Sequence, residues 1–495
     1  MTIIRRSRRL MAAICVFAAG PALADTPAPS GTLLSTSGAQ EDLELAISAV
    51  EAALPNIYWH QTRRQWARAK ADARLRVATV TDSEALWRIL RPLMGQIGEG
   101  HLSVQLSNAM NQHYRDAPRF PLDLLWNDRG AFVIAGYGAA ADIAKGTRLL
   151  SVDGVEDTEL LREMIAVTPH DGVIRTGTMR DISGRGFASI LYRLRGPQSH
   201  FRIMLDGPGG PVERVVPAVP RLSRPPEGDD PAPLPTLEWL DGHSAYLNVP
   251  TFSNARLRAA GTTFPDAIQE VFTQLARGGT TDLILDLRDN GGGSEPNESI
   301  LFSYLVEKPL RKYAAVEARG AHIAVTSLSG KRFETDIFDE EDRDQQRPIG
   351  NGRLTRRNLP PNGLMSRWTK FAPIYHGRLV VLAGGNTFSG GAELASMLSH
   401  TGRALFVGEE VGGADEGNTS GHRWTIELPN SRMKLTVPLL QFRMAWTDHP
   451  HGRGVRPACA APPNVMNDDA RQVAVALLKQ DWTRPGRAIC PGLPR

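Results

Sequence analysis

Residues 380–394 read VVLAGGNTFSGGAEL, and this stretch decides the fold. The apolar run is typical of a buried strand, and the glycines after it indicate a turn. Ser389 directly precedes a predicted helix. Two roles are open to this serine. Its hydroxyl could simply cap the helix, or it could be a reactive group whose developing charge the helix dipole and free N–H groups stabilise.

A second strand–turn–helix unit lies upstream. Residues 283–287 predict a buried strand that runs into DLRDNGGG at residues 286–293. A phosphate-binding loop would continue with Gly-Lys-Ser/Thr, whereas this turn continues with Ser-Glu-Pro, so nucleotide binding is not indicated. Backbone donors of such a turn fit an oxyanion hole. We expect the amides at or beside Gly292, with that of Gly390, to supply it, because neighbouring strands would bring the two turns together. The alternative is that the glycines serve only a tight turn.

A third motif is the turn Gly98-Glu99-Gly100-His101, which precedes a short alternating strand. A lone histidine is usually a surface or packing residue, so His101 needs other support before it is assigned as a base. The chain offers no cluster of histidines and cysteines with the spacing of metal ligands, so no metal site and no cofactor are predicted.

These motifs together resemble peptidase family S41, which includes C-terminal processing proteases and tricorn-like proteases. The family shows Asp-Leu-Arg-x-Asn-x-Gly-Gly and then Thr-x-Ser, matched here at 286–293 and 387–389. The tricorn-like branch adds Gly-x-Gly-His and a later Gly-x-Gly-Val-x-Pro, matched at 98–101 and 452–457. The resemblance covers roughly residues 80–460 and implies a serine peptidase with Ser389 as its nucleophile.

The base can be chosen by chemistry within this resemblance. C-terminal processing proteases use a lysine after the serine, but this chain has no lysine from Gly390 to Met433. His101 is therefore the expected base, since imidazole titrates near neutrality. The family acid that orients the histidine lies just before Gly-x-Gly-Val-x-Pro, where Asp448 is the first candidate and Glu410 the second. The glutamate that the family often places three residues after the serine is Ala392 here, and Glu393 follows one position later.

The N-terminus resembles a secretory signal peptide. Residues 1–24 contain four arginines, a short apolar stretch and small residues before a cleavage site after Ala24. The apolar stretch is far shorter than the ~20 residues that span a bilayer. The formal net charge of +4 disappears when the four signal-peptide arginines are removed, so the charge gives no argument for nucleic acid. The mature chain keeps Cys459 and Cys490, which we expect to pair in an oxidising compartment, with two free thiols as the alternative.

The sequence predicts an α/β (α+β multidomain) protein with an N-terminal helical region, a PDZ-like β-rich domain and a crotonase/ClpP-like α/β protease core. Residues 146–155 look like the strand-and-turn segment of PDZ domains, which bind an extended peptide at a sheet edge; an ordinary hairpin is the alternative. The predicted boundaries are 1–24 for the signal peptide, 25–117 for the helical region with His101, 118–219 for the PDZ-like domain, 220–236 for a Pro-rich linker and 237–495 for the core with a C-terminal extension.

Three local predictions concern secondary structure. Residues 41–70 are predicted to be helical, and a capping box of Thr81 and Glu84 is expected to start the next helix. Residues 317–370 have no clear periodicity and are predicted to be a long insertion or loop.

The leading functional hypothesis is a periplasmic or secreted serine endopeptidase acting on peptides or proteins. No nucleic-acid partner and no integral membrane segment are expected, and the oligomeric state is open. One alternative is a catalytically impaired peptide-binding protein of the same fold. The other is a crotonase-like thioester enzyme, against which export to a compartment poor in coenzyme A argues.

Overall fold

The structure is a computed structural model that describes residues 33–220, 234–357, 364–366, 368, 371–446, 448, 450–480 and 490–492. The predicted signal peptide and most of the predicted Pro-rich linker lie outside these residues. The described helices are α1 (Thr36–Ala53), α2 (Arg63–Val77), α3 (Ser83–Gly95), α4 (Asn108–Asp116), α5 (Asp157–Ile165), α6 (Thr176–Asp181), α7 (Gly186–Arg195), α8 (Asn254–Ala259), α9 (Phe264–Arg277), α10 (Asn297–Leu305), α11 (Glu340–Arg343), α12 (Gly390–His400) and α13 (Asp469–Leu478).

The central sheet carries the two glycine turns. Its strands are β8 (Thr236–Trp239), β9 (Ser244–Asn248), β10 (Asp282–Asp286), β16 (Arg378–Ala383), β17 (Leu405–Gly408) and β20 (Cys459–Ala460). They lie in the order β20-β17-β16-β10-β9-β8, and all neighbours are parallel except β8 and β9. Asp286 pairs with Leu382, so β10 and β16 end side by side.

This sheet is buried on both faces. Along β10, Leu283 and Leu285 belong to the main core, whereas Ile284 packs with Val473 and Leu477 of α13 in a second core. Alternate residues of a strand point to opposite faces, so a continuous apolar run is what a doubly covered strand requires. The predicted mixed α/β class is therefore confirmed.

A second, antiparallel sheet packs the N-terminal region against the core. It contains β1 (Ser103–Gln105), β11 (Tyr313–Ala318), β14 (Gln346–Gly350), β15 (Arg353–Arg356), β18 (Gly417–Glu427) and β19 (Lys434–Met444). β1 pairs with β19, which fixes the strand immediately after His101 against the C-terminal part of the chain.

A third sheet forms between residues 118 and 219. Its strands are β2 (Leu122–Asn127), β3 (Gly130–Gly136), β4 (Arg148–Val152), β5 (Val155–Glu156), β6 (His200–Gly207) and β7 (Gly210–Pro217). The expected tight Asp-Gly turn connects β4 to β5, with positive φ at Asp153 and Gly154. The domain boundaries themselves stay a prediction.

Three local predictions were wrong. The helix expected over 41–70 is broken after Ala53, because Leu54 precedes Pro55 and a residue before proline disfavours helical backbone. The expected capping box at Thr81 is replaced by Asp82, whose side chain accepts from the Ala85 N–H at 2.7 Å.

The third wrong prediction is that residues 317–370 form a long loop. This segment contains β14, β15 and the hairpin β12 (His322–Thr326) and β13 (Arg332–Asp336). The hairpin's inward-facing side chains, among them Ile323, Val325 and Phe333, alternate with exposed ones, but the alternation spans only five residues in each strand.

Cys459 and Cys490 form a disulfide, as predicted, which ties the chain beyond α13 to the edge of the central sheet. Among the described helices, none has both the length and the hydropathy needed to cross a membrane.

Candidate active site

Ser389 lies on a strained turn between β16 and α12. Its backbone has φ +52° and ψ −128°, a conformation that costs a residue with a side chain about 1–3 kcal/mol. Ser389 stands at the N-cap position of α12, yet its side chain makes no capping hydrogen bond. The Ser389 hydroxyl therefore does not cap the helix.

The two glycine turns touch beside this serine. A Cβ atom placed on Gly292 would lie 2.7 Å from the Gly390 nitrogen and 2.8 Å from the Ser389 Cβ, so only glycine fits there. Gly292 also has φ +85°, which a residue with a side chain adopts with strain. The contact follows from the parallel pairing of β10 with β16.

Two buried polar side chains lock the turns together. Thr387 Oγ1 donates to the Leu287 carbonyl at 2.7 Å and accepts from the Gly384 N–H at 3.1 Å. Asn290 Nδ2 donates to the Val249 carbonyl at 2.9 Å, which links the turn after β10 to the end of β9.

The Asn290 carbonyl in turn accepts from the Phe388 N–H at 3.0 Å, next to the serine. Asn290 and Thr387 are fully buried. Both belong to the quoted motifs, but the sequence reasoning gave them no role. Their position could have indicated a role, because each is a polar residue a few positions after a buried strand.

Of the two amides expected to form the oxyanion hole, those of Gly292 and Gly390, the first is not free. The Gly292 N–H already donates to Asn290 Oδ1 at 2.8 Å, so it is engaged within its own turn. Within the described part of the chain, the N–H groups of Gly291, Gly293 and Gly390 have no hydrogen-bond acceptor. The donors available beside Ser389 are therefore Gly390 and a neighbour of Gly292.

His101 lies in the loop between α3 and β1, and its ring packs against Phe388. The two ring centroids are 4.8 Å apart at an interplanar angle of 31°. The loop approaches so closely that a Cβ atom on Gly100 would lie 2.6 Å from Phe388 Cζ. The Gly100 N–H donates to Asp171 Oδ1 at 2.8 Å, which holds the loop in place. The histidine is thus brought next to the residue that precedes Ser389.

The electrostatic environment keeps His101 neutral at pH 7. Burial and, to a smaller extent, the positive charge of Arg423 lower the pKa of His101 to about 4, with Glu393 opposing the shift. The Nδ1 atom is buried and has no hydrogen-bond partner among the described residues. A neutral imidazole can accept a proton, although a lowered pKa makes it a weaker base.

The two acids predicted to orient His101 have other partners. Asp448 is 79% exposed, and its carboxylate lies 3.8 Å from His400 Nδ1. Glu410 lies 3.3 Å from Arg453 and accepts from the Gly454 N–H at 3.2 Å. Since His101 Nδ1 has no partner, neither carboxylate orients the ring through that nitrogen, and the Asp448 prediction is not supported by the geometry.

An ionic cluster, buried except at Glu295, lies beneath the first turn of α12. Lys312 Nζ is 3.0 Å from carboxylate oxygens of Glu295 and Glu393 and also bonds Glu298. The Tyr313 hydroxyl lies within hydrogen-bond distance of Glu393, at 2.7 Å, and of Glu295, and its one proton can be donated to either carboxylate. Sequence reasoning missed this cluster, because its members are scattered along the chain.

The cluster touches the serine site and rules out its lysine as a base. A Cβ atom on Gly390 would lie 3.6 Å from Glu298 Oε2. Burial acts to lower the pKa of Lys312, but the three carboxylates outweigh it and raise the pKa well above its usual value. Lys312 therefore stays protonated. Three carboxylates could together hold a cation, and the ammonium already fills that role.

The Asp-Leu-Arg part of the upstream motif has a structural role. Arg288 lies 2.7 Å from Asp286 and 2.6 Å from Asp468, the N-cap residue of α13. This bridge fastens α13 to the end of β10. The charged residues of the motif thus support the sheet, and its asparagine and glycines shape the turn beside Ser389.

Comparisons with known proteins give one family match and several structural matches. Residues 243–458 match the family model described as peptidase family S41. The solved structure of mature CPAF is similar with a TM-score of 0.61 and 15% identity, covering 88% of this chain and 94% of that one. Mature CPAF complexed with lactacystin matches with a TM-score of 0.60 and 16% identity, covering 88% and 95%. At these identities the likeness shows the fold alone.

No curated protein sequence gives a significant match. The matched segment 243–458 contains β9, β10 and β16, the glycine turns and Ser389. We conclude that residues 243–458 form a serine-type peptidase domain that matches family S41.

Proposed function

We propose that this protein is an exported serine endopeptidase with Ser389 as nucleophile and His101 as general base. The observation that carries the proposal is the strained, uncapped Ser389 turn packed against a second glycine turn with free N–H groups. Strain of this kind is typical of a nucleophile presented between a strand and a helix.

The proposed reaction uses the groups around the serine. The Ser389 oxygen attacks the carbonyl carbon of a peptide bond, and His101 takes the hydroxyl proton. The carbonyl oxygen gains negative charge and accepts from the Gly390 N–H and from a free amide beside Gly292. The proton then passes to the leaving amine, and water hydrolyses the acyl-enzyme by the same steps.

Peptide recognition is proposed for the sheet between residues 118 and 219. β7 is an edge strand, and its Val212 and Val215 are exposed. An extended peptide could pair with such an edge through main-chain hydrogen bonds and place apolar side chains on it. The proposed substrates are therefore polypeptide segments in an extended conformation.

Export to the periplasm or the extracellular space is proposed from two observations. Residues 1–24 have the organisation of a signal peptide. The Cys459–Cys490 disulfide is the kind of bond that persists in oxidising compartments.

A second candidate is a peptide-binding protein with impaired catalysis. It is favoured by the unpartnered His101 Nδ1, because a catalytic histidine is usually oriented through this nitrogen. In the serine protease triad, loss of the orienting acid lowers kcat about 10⁴-fold. The two candidates make different predictions for turnover.

A serine-reactive fluorophosphonate probe separates the two. The purified chain without its signal peptide should be labelled at Ser389 and should cleave an unstructured protein substrate. Ser389→Ala should abolish both while leaving the thermal unfolding curve nearly unchanged, and the exposed Ser329→Ala serves as the matched control. His101→Ala should lower turnover by about 10²–10⁴-fold.

Labelling of Ser389 without turnover favours the impaired binder. Undiminished turnover by Ser389→Ala ends the nucleophile assignment. Turnover by His101→Ala within a few-fold of wild type points to another base.

A further inference from the structure

A cluster of two histidines and a glutamate lies outside the Ser389 site, where three segments of the chain meet. His60 follows α1, Glu416 precedes β18, and His451 lies in the loop before β20. Each residue offers one ligand atom, and the three atoms all lie within 4.8 Å of one another.

Glu416 is the fixed centre of this cluster. Its Oε2 lies 3.0 Å from His451 Nδ1, and its Oε1 lies 3.8 Å from His60 Nδ1. The Gly452 N–H donates to Oε1 at 2.8 Å and holds the carboxylate in place. The glutamate thus presents one oxygen to each imidazole.

His60 points a buried nitrogen into the cluster without a hydrogen bond. Its side chain is only 5% exposed, and its ring stacks on Trp59 with centroids 5.1 Å apart. The Nδ1 atom has no hydrogen-bond partner among the described residues, and 3.8 Å to Glu416 is too long for one. A buried polar atom without a hydrogen-bond partner costs free energy, and a ligand bound to this nitrogen would remove that cost.

We propose that His60, Glu416 and His451 bind one transition-metal ion of the Zn²⁺ type. Two imidazoles and one carboxylate form a known zinc donor set, whereas Mg²⁺ and Ca²⁺ prefer oxygen ligands throughout. Bond lengths of about 2.0–2.2 Å place tetrahedral ligand atoms roughly 3.3 Å apart. The Glu416–His451 and Glu416–His60 separations of 3.0 and 3.8 Å lie on either side of this value, and the third separation is at most 4.8 Å. The His451 side chain is 63% exposed, so solvent can reach the fourth coordination position.

The site shares its backbone with the loop that carries His101. A Cβ atom on Gly98 would lie 3.0 Å from the His60 Cβ. The Gly172 N–H donates to the Gly98 carbonyl at 3.0 Å, and the Val173 N–H donates to the Gly452 carbonyl at 3.0 Å. A bound ion would therefore cross-link the segment after α1 to the C-terminal loop, directly behind the His101 turn.

The test measures metal uptake by the purified chain without a polyhistidine tag. Equilibrium dialysis against Zn²⁺, followed by elemental analysis, should find one equivalent bound. Co²⁺ should give the visible absorption of a tetrahedral site. His451→Ala removes an exposed ligand and should weaken binding at least about tenfold. His376→Ala is the matched control, because His376 is similarly exposed and should bind as the wild type does.

A second readout avoids relying on one variant. Zn²⁺ should raise the unfolding temperature of the wild type, because a ligand that binds only the folded state stabilises it, and it should not raise that of Glu416→Gln. No uptake by the wild type overturns the proposal. Equal uptake by wild type and His451→Ala also overturns it, since the metal would then sit elsewhere. None of these readouts depends on peptidase activity.

Discussion

Replacing Lys312 by methionine tests the ionic cluster beneath the serine turn. The ammonium contacts Glu295, Glu298 and Glu393, and its side chain is only 3% exposed. Methionine keeps most of the side-chain length and removes the charge. The three carboxylates then face one another without a cation.

The expected loss is about 3–5 kcal/mol in the free energy of unfolding at pH 8, because removal of one partner leaves buried charge uncompensated. The loss should depend on pH. Burial raises the pKa of Glu295 to about 7 even with the lysine present. The lysine charge lowers the pKa of Glu295 and of Glu393, so its removal in the variant should raise both folded-state pKa values, whereas the unfolded value stays at about 4.3.

The sign follows from proton binding. The folded variant binds more protons than its unfolded state above pH 4.3, so its stability decreases as pH rises. Each such proton contributes about 1.4 kcal/mol per pH unit over the window between the two pKa values. The difference in the free energy of unfolding between variant and wild type should therefore be largest near pH 8 and should decrease toward pH 5.

Urea titrations at pH 5 and pH 8 measure this difference, with Lys145→Met as an exposed control. If the variant does not fold at pH 8, the pH 5 measurement still gives its stability. Lys312→Met combined with Glu298→Gln should recover part of the loss, since one of the uncompensated charges is removed. A loss below about 1 kcal/mol, or an equal loss at both pH values, would refute the reasoning.

Three further predictions concern the serine turn, the base and the disulfide. Asn290→Ala leaves the Val249 carbonyl and the Gly292 N–H without partners, so the free energy of unfolding should fall by about 2–4 kcal/mol and fluorophosphonate should label Ser389 more slowly. Unchanged stability and labelling would contradict this prediction. As pH falls, kcat/KM should decrease with an apparent pKa of about 4, because only neutral His101 accepts the proton. A midpoint near 6.5 would show that the base is not the buried imidazole described here. Reducing the Cys459–Cys490 disulfide should lower stability by about 3–4 kcal/mol, measured as a shift of the urea midpoint with and without reductant.

Much of the central sheet could be predicted from the sequence. The apolar runs before Asp286 and before Gly384 form β10 and β16 within one residue of the expected bounds. Both signals are local, because a strand covered on both faces needs an uninterrupted apolar run. The hairpin in segment 317–370 was missed because its alternation of inward and exposed side chains lasts only five residues in each strand.

The sequence by itself indicated the resemblance to peptidase family S41, the strand-turn-helix setting of Ser389 and the pairing of Cys459 with Cys490. Each depends on residues close together in the chain or on few candidates. Only the tertiary structure decided which groups surround the serine. It placed His101 on Phe388, left Asp448 at the surface, engaged the Gly292 amide within its own turn and assembled the Lys312 cluster. The physical reason is that burial, pKa and hydrogen-bond partners depend on which distant segments pack together, and no local pattern in the sequence contains that information.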